Sequence, residues 1–189
     1  VLHRSEGLTP GQKMAGQLVV TAVFAYYMVK ISDVGLTLKV PFFPNISLNP
    51  GWLSIPLLFF VVIGTVNGTN FTDGLDGLAA SVTVMVAVFF SVVALGTNAG
   101  IAPITLAVVG GLLGFLLFNV YPASVFMGDT VSLALGGFVA SSAYMMNMPL
   151  FLLLVGIIYL VEVLSVMIQV TYFKVTHGKR FFKMAPIHH

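Results

Sequence analysis

The sequence has 189 residues, of which 58% are hydrophobic and 7% charged, a balance that excludes a soluble globular domain and marks an integral membrane protein. The absence of cysteine excludes a disulfide framework and thiol-held metal. A net charge of +2 matters less than where the charges lie, and no nucleic-acid partner is expected.

Residues Val1–Lys13 are polar and basic, with Arg4, Glu6 and Lys13, and show no cleavable signal peptide. Thr9 ahead of Pro10 predicts an N-cap followed by the first helical position. A first apolar run covers Met14–Val29. Residues 30–51 carry Asp33, Lys39 and several Pro/Gly turn signals, and Thr37–Val40 predicts one strand of a short hairpin near 37–48. The second run, Trp52–Val66, contains Pro56 and falls short of the roughly 20 residues a span requires. The polar segment after it is therefore expected to lie partly at membrane depth, walled by other helices.

That segment, Asn67–Ala79, places Asn67, Asn70, Asp73 and Asp76 at a regular step of three, interleaved with Gly68, Gly74 and Gly77. The glycines free the backbone for tight turns and close approach to a ligand. Carboxylates beside a span are costly and point to function. The alternative is that Asp73 or Asp76 merely N-caps a helix starting near Leu78. Four polar residues in register with three glycines favour a ligand site.

A third run covers Leu78–Leu95 and ends at Gly96–Gly100; a fourth covers Ile101–Phe118. A second polar knot holds Asn119, Tyr121-Pro122 and Phe126-Met127-Gly128-Asp129-Thr130. The fifth run, Val131–Tyr144, is rich in Ala, Gly and Ser, as close helix packing favours. After Asn147-Met148-Pro149, the sixth run, Leu150–Phe173, is long enough to span with some tilt. On it Glu162, Ser165 and Gln169 share a helix face; Gln169 is expected to line a site and Glu162 to be a buried hydrogen-bonding partner or helix-interface group. Lys174–His189 form the tail.

Six runs predict an all-α polytopic helical bundle with about six spanning helices, organised as a single membrane-embedded domain over 1–189. Counting alternately, Val1–Lys13, the Asn67 segment, the 119–130 knot and the tail fall on one side, and with them Arg4, Lys13, Lys174, Lys179, Arg180 and Lys183. The positive-inside rule makes that side cytoplasmic. The other side receives the hairpin region, Gly96–Gly100 and Asn147–Pro149. All the chemistry-bearing segments are thus expected at one face.

Asp73, Asp76 and Asp129 are hard oxygen ligands or bases, suited to Mg²⁺ that keeps its waters and takes substrate phosphates. Asn70 and Asn119 can read an amide edge such as a pyrimidine, and Lys183, Arg180, His188 and His189 supply positive or donor groups. Oxygen ligands and cations at a membrane face suggest phosphoryl transfer, in which positioning and electrostatics dominate. A secondary transporter with midplane carboxylates is the alternative from another class; the aspartates at run ends speak against it.

Asn67-x-x-Asn70-x-x-Asp73-Gly-x-Asp76-Gly-Leu-Ala resembles the signature of the polyprenyl-phosphate N-acetylhexosamine-1-phosphate transferases. Asn119-x-x-Pro122-Ala-x-x-Phe126-Met-Gly-Asp129-x-x-Ser132-Leu is similar to their second motif. Met184-Ala-Pro-Ile-His188-His189 and the opening Arg4–Pro10 resemble one branch, the phospho-N-acetylmuramoyl-pentapeptide transferases. The family's paired aspartates upstream of a stretch like Val1–Pro10, its third histidine and further helices at both ends fall outside this sequence, which reads as the C-terminal portion of a longer chain.

The resemblance implies transfer of phospho-N-acetylmuramoyl-pentapeptide from its UDP derivative to undecaprenyl phosphate, giving lipid I and UMP at the cytoplasmic face of a bacterial inner membrane. A sister activity on UDP-N-acetylglucosamine is the nearest alternative. It implies Asp129 as Mg²⁺ ligand, with Asp73, Asp129, His188 and His189 catalytic. Phe126 would stack on uracil beside Asn119 and Asp76, and Asn70, Gly128, Gln169 and Ala185 would contact nucleotide. It further implies the lipid bilayer and uridine-nucleoside inhibitors as partners, and a homodimer as a candidate assembly.

Overall fold

The computed structural model describes residues 8–32 and 34–186. Arg4, His188 and His189 lie outside the described residues. The chain forms helix α1 (Pro10–Lys30), strands β1 (Leu38–Val40) and β2 (Phe43–Leu48), and helices α2 (Ser54–Thr72), α3 (Leu78–Gly96), α4 (Ala102–Asn119), α5 (Gly128–Met145), α6 (Leu152–Val155) and α7 (Ile157–Val175). Three-residue 3₁₀ turns precede α2 (Gly51–Leu53) and α6 (Pro149–Phe151).

The first five runs each give one helix and the sixth gives the short α6 followed by α7; apart from α6 the helices are 18 to 21 residues long. Among the described residues, four segments are both long and apolar enough to cross a membrane: Gly51–Thr72, Leu78–Gly96, Ala102–Asn119 and Ile157–Val175. Helices α1 and α5 are long enough but less apolar. Helix α1 carries Gln12, Lys13 and Gln17, while α5 exchanges bulk for small residues where it meets its neighbours. The outward surfaces are apolar, with Val20, Phe60, Met85 and Leu117 at least 70% exposed. That is the reverse of a protein built for water and fits a bilayer solvent. The protein is a multi-pass, all-α membrane protein.

Thr9 caps α1 as its sequence predicts: its hydroxyl accepts from Gln12 N, and Gln12 Oε1 accepts from Thr9 N at 2.9 Å. Pro56 is tolerated because it falls in the first turn of α2, where no intrahelical N–H partner is lost.

Helix α2 is the spine, packed against α1, α5 and α7, and α3 pairs with α4. Three apolar clusters fill the interfaces: Met28, Leu58, Val62, Val66 and Tyr144 join α1, α2 and α5; Val86, Phe90, Val139 and Tyr159 join α3, α5 and α7; Ala80, Val84, Leu112 and Leu135 join α3, α4 and α5. Small residues set the closest approaches. A methyl group at Gly136 would stand 2.5 Å from Val66 Cα, so α5 meets the backbone of α2 directly. Gly68 does the same between α2 and α7, where a Cβ would lie 2.8 Å from the Tyr159 carbonyl oxygen. The expectation that Gly68 admits a ligand is therefore corrected: it admits a helix.

One further expectation changes, and one alternative falls. The sixth run is not one helix. Gly156 interrupts it, and a Cβ there would sit 2.9 Å from Leu152 O. Nor does an aspartate cap α3. Its N-cap is Gly77, at φ +74°, with no side-chain hydrogen bond, so the capping alternative for Asp73 and Asp76 fails.

The hairpin forms where the sequence places it, with Leu38 opposite Leu48 and Lys39 opposite Ser47. It is fastened to the turn after α5: Lys39 N donates to Asn147 O at 2.7 Å, and Asn147 Nδ2 donates to Val34 O at 3.1 Å. Val34, Lys39, Thr97, Ala99 and Asn147 line one cavity. The three segments assigned to one side by alternate counting thus meet at one end of the bundle.

Candidate functional site

The opposite end gathers the polar segments. Helix α2 does not stop at Val66; it continues through Asn67 and Asn70 to Thr72, with Asp73 as its C-cap. A step of three to four residues therefore keeps Asn67 and Asn70 on one helix face. Asn67 exchanges hydrogen bonds with Gln17 of α1, donating from Nδ2 to Oε1 at 2.8 Å and accepting from Nε2 at 3.4 Å. Asn70 Nδ2 donates to Asp129 Oδ1 at 3.0 Å and to Ser132 Oγ at 2.8 Å, both in the first turns of α5. Lys13, in the first turn of α1, forms an ion pair with Asp129 Oδ2. Three helices therefore converge on one carboxylate.

Asp73 lies beside it. The Gly128 N–H donates to its carboxylate, at a residue whose φ of +69° only glycine adopts without strain. Open space surrounds the position of a Gly128 Cβ. The two carboxyls are pushed in opposite directions. Burial, then the charge of Asp129, raises the Asp73 pKa above the usual carboxylate range, with the Gly128 N–H opposing. Hydrogen bonds from Lys13, then Asn70, lower that of Asp129. Asp129 is the firmly ionised partner and Asp73 the more readily protonated one. The stabilisation from Asp129 is present above its unfolded pKa and is lost as pH falls through the lowered folded value.

A second group links the two polar segments. The Asn119 side chain is 5% exposed and is used at both ends: Oδ1 accepts from Gly77 N at 3.0 Å, and Nδ2 donates to Val125 O at 2.8 Å. Asp76 Oδ2 accepts from Ala123 N at 3.0 Å. These bonds tie the 73–77 turn to the 119–127 loop. Met127 is buried in the α3–α4–α5 core, whereas Phe126 beside it is 74% exposed. Phe126 is thus not a packing aromatic of the described bundle; its ring stands free on an anchored loop.

A third group sits at the end of α7. Gln169 Oε1 accepts from Phe181 N at 3.1 Å and Phe182 N at 2.8 Å, holding the returning chain that carries half-buried Ala185. Higher on the same face Glu162 and Ser165 are buried, at 5% and 2% exposure, as expected of an interface.

The residue that sequence reasoning missed is Lys13. It reads as a topology signal, and only its pairing with a carboxylate 116 positions away reveals that it belongs to the polar cluster.

Among the described residues no three His, Cys, Asp or Glu side chains gather into a metal cage. Mg²⁺ needs only one or two carboxylates, completing its shell with water and phosphate oxygens. Asp129, half exposed and next to Asp73, fits that requirement in type and number.

Beside this end lies an apolar groove of about 610 Å³, lined by Met14 and Leu18 of α1, Ile63 and Asn67 of α2, and Val163 and Met167 of α7.

The chain matches the family described as glycosyl transferase family 4 over residues 5–147. It is 52% identical, over its full length, to the phospho-N-acetylmuramoyl-pentapeptide-transferase of Acetivibrio thermocellus, of which it covers 57%. It is 50% identical to the protein of that name from Clostridium perfringens strain 13, covering 59% of it, and 46% identical to that of Listeria innocua, covering 58%. The chain thus spans a little under three fifths of the length of the curated relatives it matches.

Proposed function

The chain belongs to glycosyl transferase family 4, and from that premise we propose that the whole protein transfers phospho-N-acetylmuramoyl-pentapeptide from its UDP derivative to undecaprenyl phosphate. A phosphate oxygen of the lipid ends bonded to the sugar-linked phosphorus, the diphosphate bridge breaks, and UMP leaves. The observation that carries this reading is the convergence of Lys13, Asn70 and Asp129 from three helices at one end of an apolar bundle. Phosphoryl transfer asks for positioned charge rather than a built-in nucleophile.

The geometry supports the following roles. Asp129, with Asp73 beside it, would hold Mg²⁺, which would supply charge neutralisation for two phosphate groups brought together. Asn70 orients the Asp129 carboxylate through Oδ1, and Lys13 adds positive charge at the other oxygen, Oδ2. Asp73 is the better placed of the two to accept and release a proton, because its charged form is the less favoured. Phe126 offers its exposed face to uracil, with the 119–127 loop held by Asn119 and Asp76. Ala185, His188 and His189 would complete the nucleotide side. The apolar groove between α1, α2 and α7 suits a polyprenyl chain whose phosphate end reaches Asn67. The basic residues at this end support a cytoplasmic placement at the inner membrane.

The full-length protein in detergent should convert radiolabelled UDP-N-acetylmuramoyl-pentapeptide and undecaprenyl phosphate to an organic-soluble product with release of UMP. Product from UDP-N-acetylglucosamine alone would transfer the assignment to the sister activity. Base stacking gives a second check. Phe126→Ala should weaken binding of uridine ligands roughly 10- to 100-fold, for a loss of about 1–3 kcal/mol. Calorimetric titration measures it, and unchanged affinity would leave Phe126 outside the nucleotide site.

A further inference from the structure

The end of α7 contains a device that neither the proposed chemistry nor the helix packing uses. The helix stops at Val175, and the chain reverses through His177 at φ +53° and Gly178 at φ +113°. Thr176 N donates to Tyr172 O and Gly178 N to Phe173 O, which satisfies two of the last four carbonyls of the helix. Residues 179–182 then run back along α7 towards Gln169, two turns before the helix end. There the Gln169 carbonyl accepts from two successive backbone N–H groups, those of Phe181 and Phe182. The ring of Phe181 meets Tyr172 edge-on at 5.5 Å and Phe182 at 4.8 Å. Thr176 Oγ donates to Lys179 O at 3.3 Å at the start of the return.

One side-chain oxygen therefore closes a loop of about a dozen residues, and the segment Lys183–Pro186 emerges from that closure. Both Gln169 acceptor bonds go to backbone, so the tie does not read which side chains follow it. It fixes where they start.

We propose that Gln169 is a positioning residue, whose side-chain carbonyl pins the backbone of Phe181 and Phe182 to α7 and so sets the place from which the Met184–Pro186 segment reaches the nucleotide side of the site. The catalytic consequence rests on the transferase reading above; the tie itself does not. The chemistry separates this role from direct recognition. Glutamate keeps an acceptor oxygen at the same reach and loses the amide N–H₂, whereas methionine keeps the shape and loses both functions.

The test uses the full-length protein in detergent with Gln169→Met and Gln169→Glu. Lys179, Arg180 and Lys183 are exposed on the returning segment, so trypsin reports its release. Cleavage of a transiently opened segment follows the open population. Loss of the two bonds in Gln169→Met should speed cutting at 179–183 about tenfold. Turnover should fall and the KM for the UDP substrate rise, while the KM for the lipid phosphate stays unchanged. Gln169→Glu should restore both protection and turnover. Wild-type protection in Gln169→Met would overturn the tie. Faster cutting with wild-type kinetics would overturn the positioning role. A protected but impaired Gln169→Glu would overturn it in favour of direct contact by the amide. Absence of lipid product from the wild-type protein would sink the transferase reading, and the proteolysis arm would still decide the tie.

Discussion

Asp129→Asn in the full-length protein should abolish turnover, by on the order of 10³-fold or more, while leaving the bundle folded. The substitution keeps shape and hydrogen-bonding reach but removes the charge that Lys13 and Asn70 address from two other helices. Excess Mg²⁺ should rescue it poorly. Asn caps a helix about as well as Asp, so a residue serving only the start of α5 would tolerate the change. Radiolabelled product formation beside a thermal melt makes the measurement. An active variant with ordinary Mg²⁺ dependence would move the metal role to Asp73.

The second large effect belongs to Lys13. Lys13→Met should lower turnover by about 10²- to 10³-fold, the usual loss when one group aimed at developing charge is removed. Stability should move little, because the pair is partly exposed, at 30% for Lys13 and 54% for Asp129, and exposed ion pairs contribute at most about 1 kcal/mol. Arginine at this position should recover only part of the activity, since its planar fork does not substitute for a compact ammonium. A variant that loses its cooperative melt along with activity would assign Lys13 to folding instead.

These two residues also show what the sequence makes legible. Asp129 stands out because carboxylates are scarce in an apolar chain: there are six acidic residues in all, and each beside a span demands an explanation. The three-residue step from Asn67 to Asp76 is legible for the same reason, although its first half proved to be helix. Lys13 does not stand out. A lysine at the start of a run has an ordinary explanation in membrane topology, and its partner lies four helices later. Asn119 is a related case. An amide in a polar knot suggests ligand reading, and only the structure reveals that both of its ends serve the turn at Gly77 and the loop at Val125.

The fold was legible in its helices and in its two-ended sorting of loops, since both follow from the lengths of apolar runs. The break at Gly156 was not, because a glycine in such a run is equally compatible with close packing, as at Gly136. What separates the two cases is which backbone faces the missing side chain: the preceding turn, α6, at Gly156, a neighbouring helix at Gly136.

The span between Lys13 and Asp129 also bears on how the protein is made. A ribosome adding roughly 5–20 residues per second needs on the order of 6 to 20 seconds to cover the 116 positions that separate them. Throughout that interval Lys13 is already in place, and its ammonium has no Asp129 to meet. The ion pair cannot close until the translating chain has delivered α2, α3 and α4 and begun α5. A nascent chain halted anywhere before that point lacks the carboxylate on which three helices converge, so on the transferase reading above the half-made protein would be held inert by the order of its own synthesis.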